Sequence, residues 1–387
     1  MKVKPADRTN SVQEYYFSMK LRQIEQMRNA GADIINLGIG SPDQPPSENT
    51  IKRLADEAGK PNVHGYQSYI GSPVLRKAFS DWYLKYFKVR LDPETEILPL
   101  MGSKEGIMHI TMAFVNPGDE VLVPNPGYPT YSSVTKLVGG KIRYYDLDEK
   151  TGWFPDIRAL ERADLNKVKL MWINYPHMPT GTKGSASLFR QLVSFSSDNN
   201  ILLCNDNPYS FILNKEYLSL LAVEGAMETA LELNSLSKSH NMAGWRVGMV
   251  AGNSDYIKNI LKVKSNMDSG MFLPLQMAAT EALGNPESWY DEVNKAYMER
   301  RKTAESIMEL LRCKFSKDQT GLFVWGRIPD EIGSCEAFVE KILDKAHVFL
   351  TPGFIFGSMG ERYIRISLCA DNERLKEARE RIISLKL

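Results

Sequence analysis

The chain reads as an α/β protein, with a mostly parallel sheet covered by helices on both faces and a smaller α+β domain after it. Three observations carry that reading. Between residues 97 and 252, short apolar runs alternate with longer amphipathic ones. The short runs are apolar at successive positions, the pattern of strands buried on both faces. Beyond residue 312 the order changes to strand, helix, strand, helix, which suits a separate α+β layer.

In chain order, residues 11–28 place Phe17, Leu21, Ile24 and Met27 at helical spacing and stop near Asn29-Ala30-Gly31. Leu37–Pro46 is punctuated by glycine and proline. Strands are expected at Ile97–Met101, Glu120–Pro124, Val168–Ile173, Ile201–Asn205, Ala230–Leu233 and Val247–Ala251. Ile107, Ile110 and Phe114 mark a helix after the first of them. One long connecting helix is expected near 275–312. Strands Gly321–Trp325 and Arg362–Leu368 then bracket a helical run near 335–346. A last helix over 372–386 carries Leu375, Ala378 and Ile382 on one face.

Bulk composition narrows the function. The 48 basic and 47 acidic residues nearly cancel, and no block of like charges stands out, so neither nucleic acid nor a membrane surface is an expected partner. No run approaches the ~18 apolar residues of a spanning helix, and the N-terminus lacks the apolar stretch of a signal peptide. Cys204, Cys313, Cys335 and Cys369 are far apart, which fits reduced thiols in a cytoplasmic enzyme. The five histidines form no metal-ligand pair, so no metal is expected.

The most informative stretch is Ser235-Leu-Ser-Lys-Ser-His-Asn-Met-Ala-Gly-Trp-Arg-Val-Gly248. A lysine whose amine is made neutral forms Schiff bases with carbonyl compounds. Ser235, Ser237 and Arg246 offer hydroxyls and a planar N–H fork, the donors a phosphate needs. An aldehyde-holding Lys238 beside a phosphate site is the arrangement pyridoxal phosphate requires; a surface lysine in a polar turn is the plain alternative. Asp206 closes the apolar run Ile201–Asn205, where a lone buried carboxylate is costly unless it meets a cation such as a protonated pyridine nitrogen. Helix capping is the competing role for it. Met101-Gly-Ser-Lys-Glu-Gly106 opens a helix, so Gly102, Ser103 and Lys104 can cradle a phosphate or simply cap. In Glu361-Arg-Tyr-Ile-Arg-Ile-Ser-Leu368, alternation puts Tyr363 and Arg365 on one face, and an arginine on a buried strand needs an anion. Arg362 reads as a surface charge.

The lysine string resembles that of the class I/II aminotransferases, the fold-type I pyridoxal-phosphate enzymes, and the resemblance runs from about residue 12 to the end. It implies a seven-stranded sheet in a large domain over 46–285, with a small domain formed by 1–45 and 286–387. It implies pyridoxal 5′-phosphate as cofactor, with Asp206 on the ring nitrogen and Tyr209 on the phenolic oxygen. Tyr128, in Pro124-Asn-Pro-Gly-Tyr-Pro-Thr-Tyr131, would stack on the ring. The phosphate would lie on Ser103, Lys104, Ser235, Ser237 and Arg246, and the substrate carboxylate on Arg365 near Gly40. Tyr66, five residues before Gly71, would reach the phosphate of a neighbouring subunit, hence a homodimer with shared sites.

One departure stands out. Where the family has Asn-Pro-Thr-Gly, this chain has Met178-Pro-Thr-Gly181, and methionine cannot donate a hydrogen bond to the ring oxygen. His177, Asn174 or a water would have to replace it. The expected reaction moves an amino group from an L-amino acid to a 2-oxo acid, with Lys238 as base and acid. A C–S β-lyase of the same fold and a non-catalytic regulatory module are the rival readings. A nicotinamide enzyme is excluded because Asp43 takes the third glycine position after Gly38 and Gly40. Ser265–Met271 has no arginine for a second carboxylate. Asn36–Gly40 resembles the diaminopimelate branch, so Asp268 is expected to meet a distal ammonium; neutral substrates such as methionine or aromatics are the other expectation.

Overall fold

In the computed structural model residues 3–385 are described; residues 1, 2, 386 and 387, and so the end of the helix expected over 372–386, lie outside them. In chain order the strands are β1 (Ile35–Asn36), β2 (Ile97–Leu100), β3 (Glu120–Asn125), β4 (Lys141–Asp146), β5 (Val168–Ile173), β6 (Leu202–Asp206), β7 (Ala230–Ser235), β8 (Gly248–Gly252), β9 (Phe323–Arg327), β10 (Val348–Phe349), β11 (Thr351–Pro352) and β12 (Tyr363–Ser367).

Seven of them form one sheet in the order β2-β8-β7-β6-β5-β3-β4. The pairings of β7, β6, β5, β3 and β4 are parallel, and β8 runs against both its neighbours. Six strands therefore end, and β8 begins, along one edge of the sheet. Side chains alternate between two cores. Leu170 and Trp172 pack with Ile107 and Ile110 on one face, while Met171 and Ile173 pack with Phe79 and Phe189 on the other. β4 escapes the apolar-run criterion because it is an edge strand with Lys141, Tyr144 and Asp146 exposed.

The smaller sheet has the order β11-β12-β9, all antiparallel. Its apolar face packs Val324, Ile364 and Ile366 against Ile342, Leu375 and Ile382 of helices Cys335–Ala346 and Asn372–Ile383. β1 returns to this region by pairing in parallel with β10. The long connecting helix expected near 275–312 is instead two helices, Leu273–Leu283 and Glu287–Leu310. Gly284-Asn285-Pro286 separates them, since Pro286 has no N–H to continue the first and stands as the N-cap of the second. Arg362 is not a free surface charge: its guanidinium donates to the Pro329 carbonyl at 2.7 Å and to that of Ile332.

β6 and β7 are tied together by a buried carboxylate. Glu232 accepts from Ser219 Oγ (2.7 Å), Tyr83 Oη (3.1 Å), Asn205 Nδ2 (2.9 Å) and Leu220 N (2.9 Å). Glu232→Ala leaves these donors buried without an acceptor. It is expected to cost about 3 kcal/mol, read as a lowered urea midpoint at unchanged slope.

Candidate active site

The shared edge brings distant residues side by side. Ser103 follows β2, Arg246 precedes β8, Ser235 ends β7 and Asp206 ends β6. Together they line a cavity of about 670 Å³ with Gly40, Lys104, Tyr128, Tyr209, Ser237, Lys238 and Arg365. Gly102 is not on the wall; it lies directly beneath Arg246. Tyr66 is outside the cavity altogether, at 93% exposure on the surface.

Lys238 sits in the short helix Leu236–Ser239, whose N-cap is Ser235. Its Nζ donates to the Gly40 carbonyl. Desolvation holds the amine below the usual lysine range, with Arg246 and Arg365 adding to the effect and Cys369 and Asp206 opposing it. A neutral amine is therefore more accessible than on a surface lysine. Ser237 Oγ accepts from Arg246 Nη1 at 3.3 Å, and the same nitrogen donates to the Ala243 carbonyl at 2.9 Å. Arg246 adopts φ 57° to reach inward. Gly102, at φ +86°, is the surface it covers, and a Cβ there would strike Nη2. The result is a fork beside the free N–H groups that open helix Ser103–Phe114.

Asp206 is buried. Its Oδ2 accepts from Tyr131 Oη at 3.0 Å, while Oδ1 has no partner. Burial raises its pKa to about 6 against the opposing influence of the Tyr131 and Ser103 hydroxyls and the Lys238 charge. An unpartnered, buried carboxylate oxygen on a cavity wall fits a cationic N–H ligand. Tyr131 stacks on Trp172, centroids 5.0 Å apart and 5° from parallel.

Arg365 on β12 has no carboxylate near it. Its Nη2 donates to the Gly38 carbonyl at 2.7 Å and Nη1 meets Met178 Sδ at 3.3 Å, while Nε is buried and unpartnered. The rings of Phe323 and Phe356 lie 3.8 and 4.7 Å from its guanidinium carbon. Burial lowers its pKa to about 10, so it stays cationic. A caged cation with a spare donor is a receptor for an anion. Gly40 packs so closely on Phe323 that any Cβ would overlap the ring.

Of the two side chains that could take the missing asparagine's place, only Asn174 lines the cavity. His177 is absent from the wall, bonds Thr180 Oγ1 at 2.9 Å, and is held near pKa 3 by burial. Asn174 is on the wall; its oxygen accepts from Met178 N (2.8 Å) and one of its two amide hydrogens goes to the Asp206 carbonyl, leaving the second free to donate. Asp268 is engaged within its own chain. It pairs with Lys264 at 2.9 Å, accepts from Gly270 N, and does not line the cavity. Sequence reasoning missed Tyr131, although it stands three residues after Tyr128. It also missed Tyr15, Phe17 and Leu21, which line the cavity from the N-terminal helix Tyr16–Asn29 and the residue before it. Their helical spacing was the only signal, and it does not say what the helix covers.

A half-buried lysine with a desolvated amine, an anion fork on a helix start and a half-satisfied carboxylate, all at one edge of a seven-stranded α/β sheet, define a pyridoxal-phosphate enzyme of fold type I. The chain belongs to the aminotransferase class I and II family, whose profile matches residues 32–382. It is 38% identical over 384 residues, 99% of each chain, to an LL-diaminopimelate aminotransferase of Aquifex aeolicus. It is 40% identical over 379 residues, 97% of this chain and 98% of the other, to one of Natranaerobius thermophilus. Among solved structures, apo-BacF from Bacillus subtilis superposes with a TM-score of 0.95 at 35% identity, covering 100% of this chain and 99% of that one. The protein is a pyridoxal-phosphate-dependent aminotransferase.

The Asp206 environment has a pH consequence for the cofactor-free protein. A carboxyl raised in the fold is more protonated than in the unfolded chain, so the contribution of Asp206 to stability falls as pH rises from about 4 towards 6. Asp206→Asn is expected to remove that contribution, so that the variant gains on the unaltered cofactor-free protein by on the order of 2 kcal/mol between about pH 4 and pH 8. The same variant loses at least about 100-fold in activity, the scale of a broken buried charge pair. Denaturant midpoints at pH 4 and 8, alongside turnover, check both signs.

Proposed function

We propose that Lys238 carries the cofactor and moves the proton during transamination. The single observation that carries this is its amine, desolvated inside the cavity and bracketed by Arg246, Arg365 and Asp206. Ser235, Ser237, Arg246 and the start of helix Ser103–Phe114 hold the phosphate, with Gly102 leaving room for the arginine. Asp206 would meet the ring nitrogen, Tyr128 the ring face and Tyr209 the phenolic oxygen. The bound cofactor supplies the electron sink for the pair left when the substrate Cα–H bond is broken. Arg365 holds the substrate α-carboxylate, fixing Cα within reach of the Lys238 amine. The Lys238 amine, freed once the substrate's amino group takes its place on the cofactor, would take the Cα proton and later give it back, serving as base and then acid. Holding both partners in one cavity provides much of the rate.

We divide the chain into a cofactor-carrying domain, 46–285, and a small domain of 1–45 with 286–387, a division supported by the separate core around β9 and β12. The working unit is a homodimer in the cytoplasm. Four free, buried cysteines agree with a reducing compartment, and no helix among the described residues is long and apolar enough to cross a membrane. Tyr66 at 93%, Met267 at 59%, Tyr69 at 44% and Phe272 at 43% exposure form an unusual concentration of large apolar surface. Their loops adjoin, since Lys264 Nζ donates to the Tyr69 carbonyl at 3.0 Å. A second copy seated there brings Tyr66 to its partner's phosphate.

Borohydride reduction of the holoenzyme followed by peptide mapping is expected to label Lys238; a label on another lysine overturns the assignment. Sedimentation is expected to show a dimer, and Tyr66→Phe to weaken cofactor binding about tenfold, one hydrogen bond's worth. A monomer, or an unchanged dissociation constant, contradicts the shared site.

A further inference from the structure

We infer that the amino donor has an uncharged, apolar side chain, aromatic in preference to aliphatic, and that neither a dicarboxylate nor a donor with a second ammonium is the physiological substrate. The inference rests on the assignment of Lys238 and Arg365 above.

The cavity wall carries five charged side chains: Lys104, Asp206, Lys238, Arg246 and Arg365. Four are committed to the cofactor or the α-carboxylate. Beyond them the wall includes the apolar side chains of Tyr15, Phe17, Leu21, Ile39, Phe323 and Phe356, while Ser18, beside Phe17, turns its hydroxyl to Glu14 at 2.6 Å. Phe17 lies 5.7 Å from the Arg365 guanidinium carbon, so this surface begins where the α-carboxylate would end. A ring entering it gains offset or edge contacts with Tyr15, Phe17 and Phe356, beyond plain burial.

A distal ammonium has nothing to meet. Asp206 is the one carboxylate on the wall, and Asp268 is paired with Lys264 away from it. Lys104, the remaining cation, lies 4.9 Å from the Tyr15 ring centre and beside Arg246, and offers a second ammonium no partner. A distal carboxylate fares little better. Lys104 is exposed, and a solvent-facing ammonium improves such a pair by no more than about fivefold. Of the segments a partner copy would bring, Tyr66-Gln-Ser-Tyr-Ile-Gly71 contains no charged side chain, and in 265–272 the single charge, Asp268, is already paired with Lys264 at 2.9 Å and accepts from Gly270 N.

The test is single-turnover conversion of the holoenzyme, followed at the cofactor's absorbance so that no acceptor enters. Phenylalanine and tyrosine are expected to exceed LL-diaminopimelate and aspartate in kcat/KM by at least about 100-fold, the discrimination expected against an unpaired buried charge. Calorimetry on the holoenzyme should show 3-phenylpropanoate binding at least about tenfold tighter than glutarate, independently of turnover. Leu21 is 41% exposed, so Leu21→Glu leaves folding intact. It is expected to shift the LL-diaminopimelate to phenylalanine ratio upward by about tenfold or more, by supplying the missing carboxylate. Preference for LL-diaminopimelate or aspartate in the unaltered enzyme, or tighter glutarate binding, overturns the inference while leaving the Lys238 assignment standing. Failure of every donor class together with a borohydride label elsewhere than Lys238 overturns both.

Discussion

The active site depends on one buried carboxylate that the protein satisfies only halfway. Tyr131 takes one oxygen of Asp206 and nothing takes the other. Left alone, such a group protonates, and burial already moves it to about 6. A cationic ring nitrogen reverses that tendency, so the protein's electrostatic deficit and the cofactor's chemistry answer each other. The rest of the large domain serves to place this oxygen. β6 delivers Asp206 to the sheet edge, Glu232 ties β6 to β7, and β7 ends on Ser235, three residues before Lys238.

The reversed strand, β8, is what closes the site. Because it runs against β2 and β7, its start lies at the edge where the other strands finish. Arg246 therefore arrives beside Ser103 and Ser237 without a long loop. Close approach is permitted by glycines at two positions. Gly102 lies under the guanidinium, and at Gly248 a Cβ would come within 2.9 Å of Ser103 N. The opposite wall works by different physics. Arg365 is caged by aromatic rings and sulfur rather than by carboxylates, so its charge is kept but its demand for an anion is not met within the protein.

Much of this was legible from residue order. Strands buried on both faces show as unbroken apolar runs, and five residues of chemistry at their ends, Ser103, Asp206, Ser235, Lys238 and Arg246, follow once a parallel sheet is assumed. What escaped has physical reasons. β4 is half exposed, so its composition is that of a surface. The break at Pro286 was hidden within an otherwise continuous helical pattern. Tyr131 reaches Asp206 from a different strand-helix unit, a pairing no local spacing announces. Tyr15, Phe17 and Leu21 lie far upstream of every other wall residue, and only the tertiary fold shows that their helix covers the cavity. Asp268 looked free in sequence because its partner, Lys264, sits one helical turn away and reads as an ordinary surface pair.

The account stands or falls on the charge state that Asp206 imposes. Reconstituting the enzyme with cofactor labelled with ¹⁵N in the ring and recording its chemical shift at about pH 8 measures this directly. The account predicts a protonated ring nitrogen in the unaltered enzyme; an unprotonated nitrogen there would contradict it.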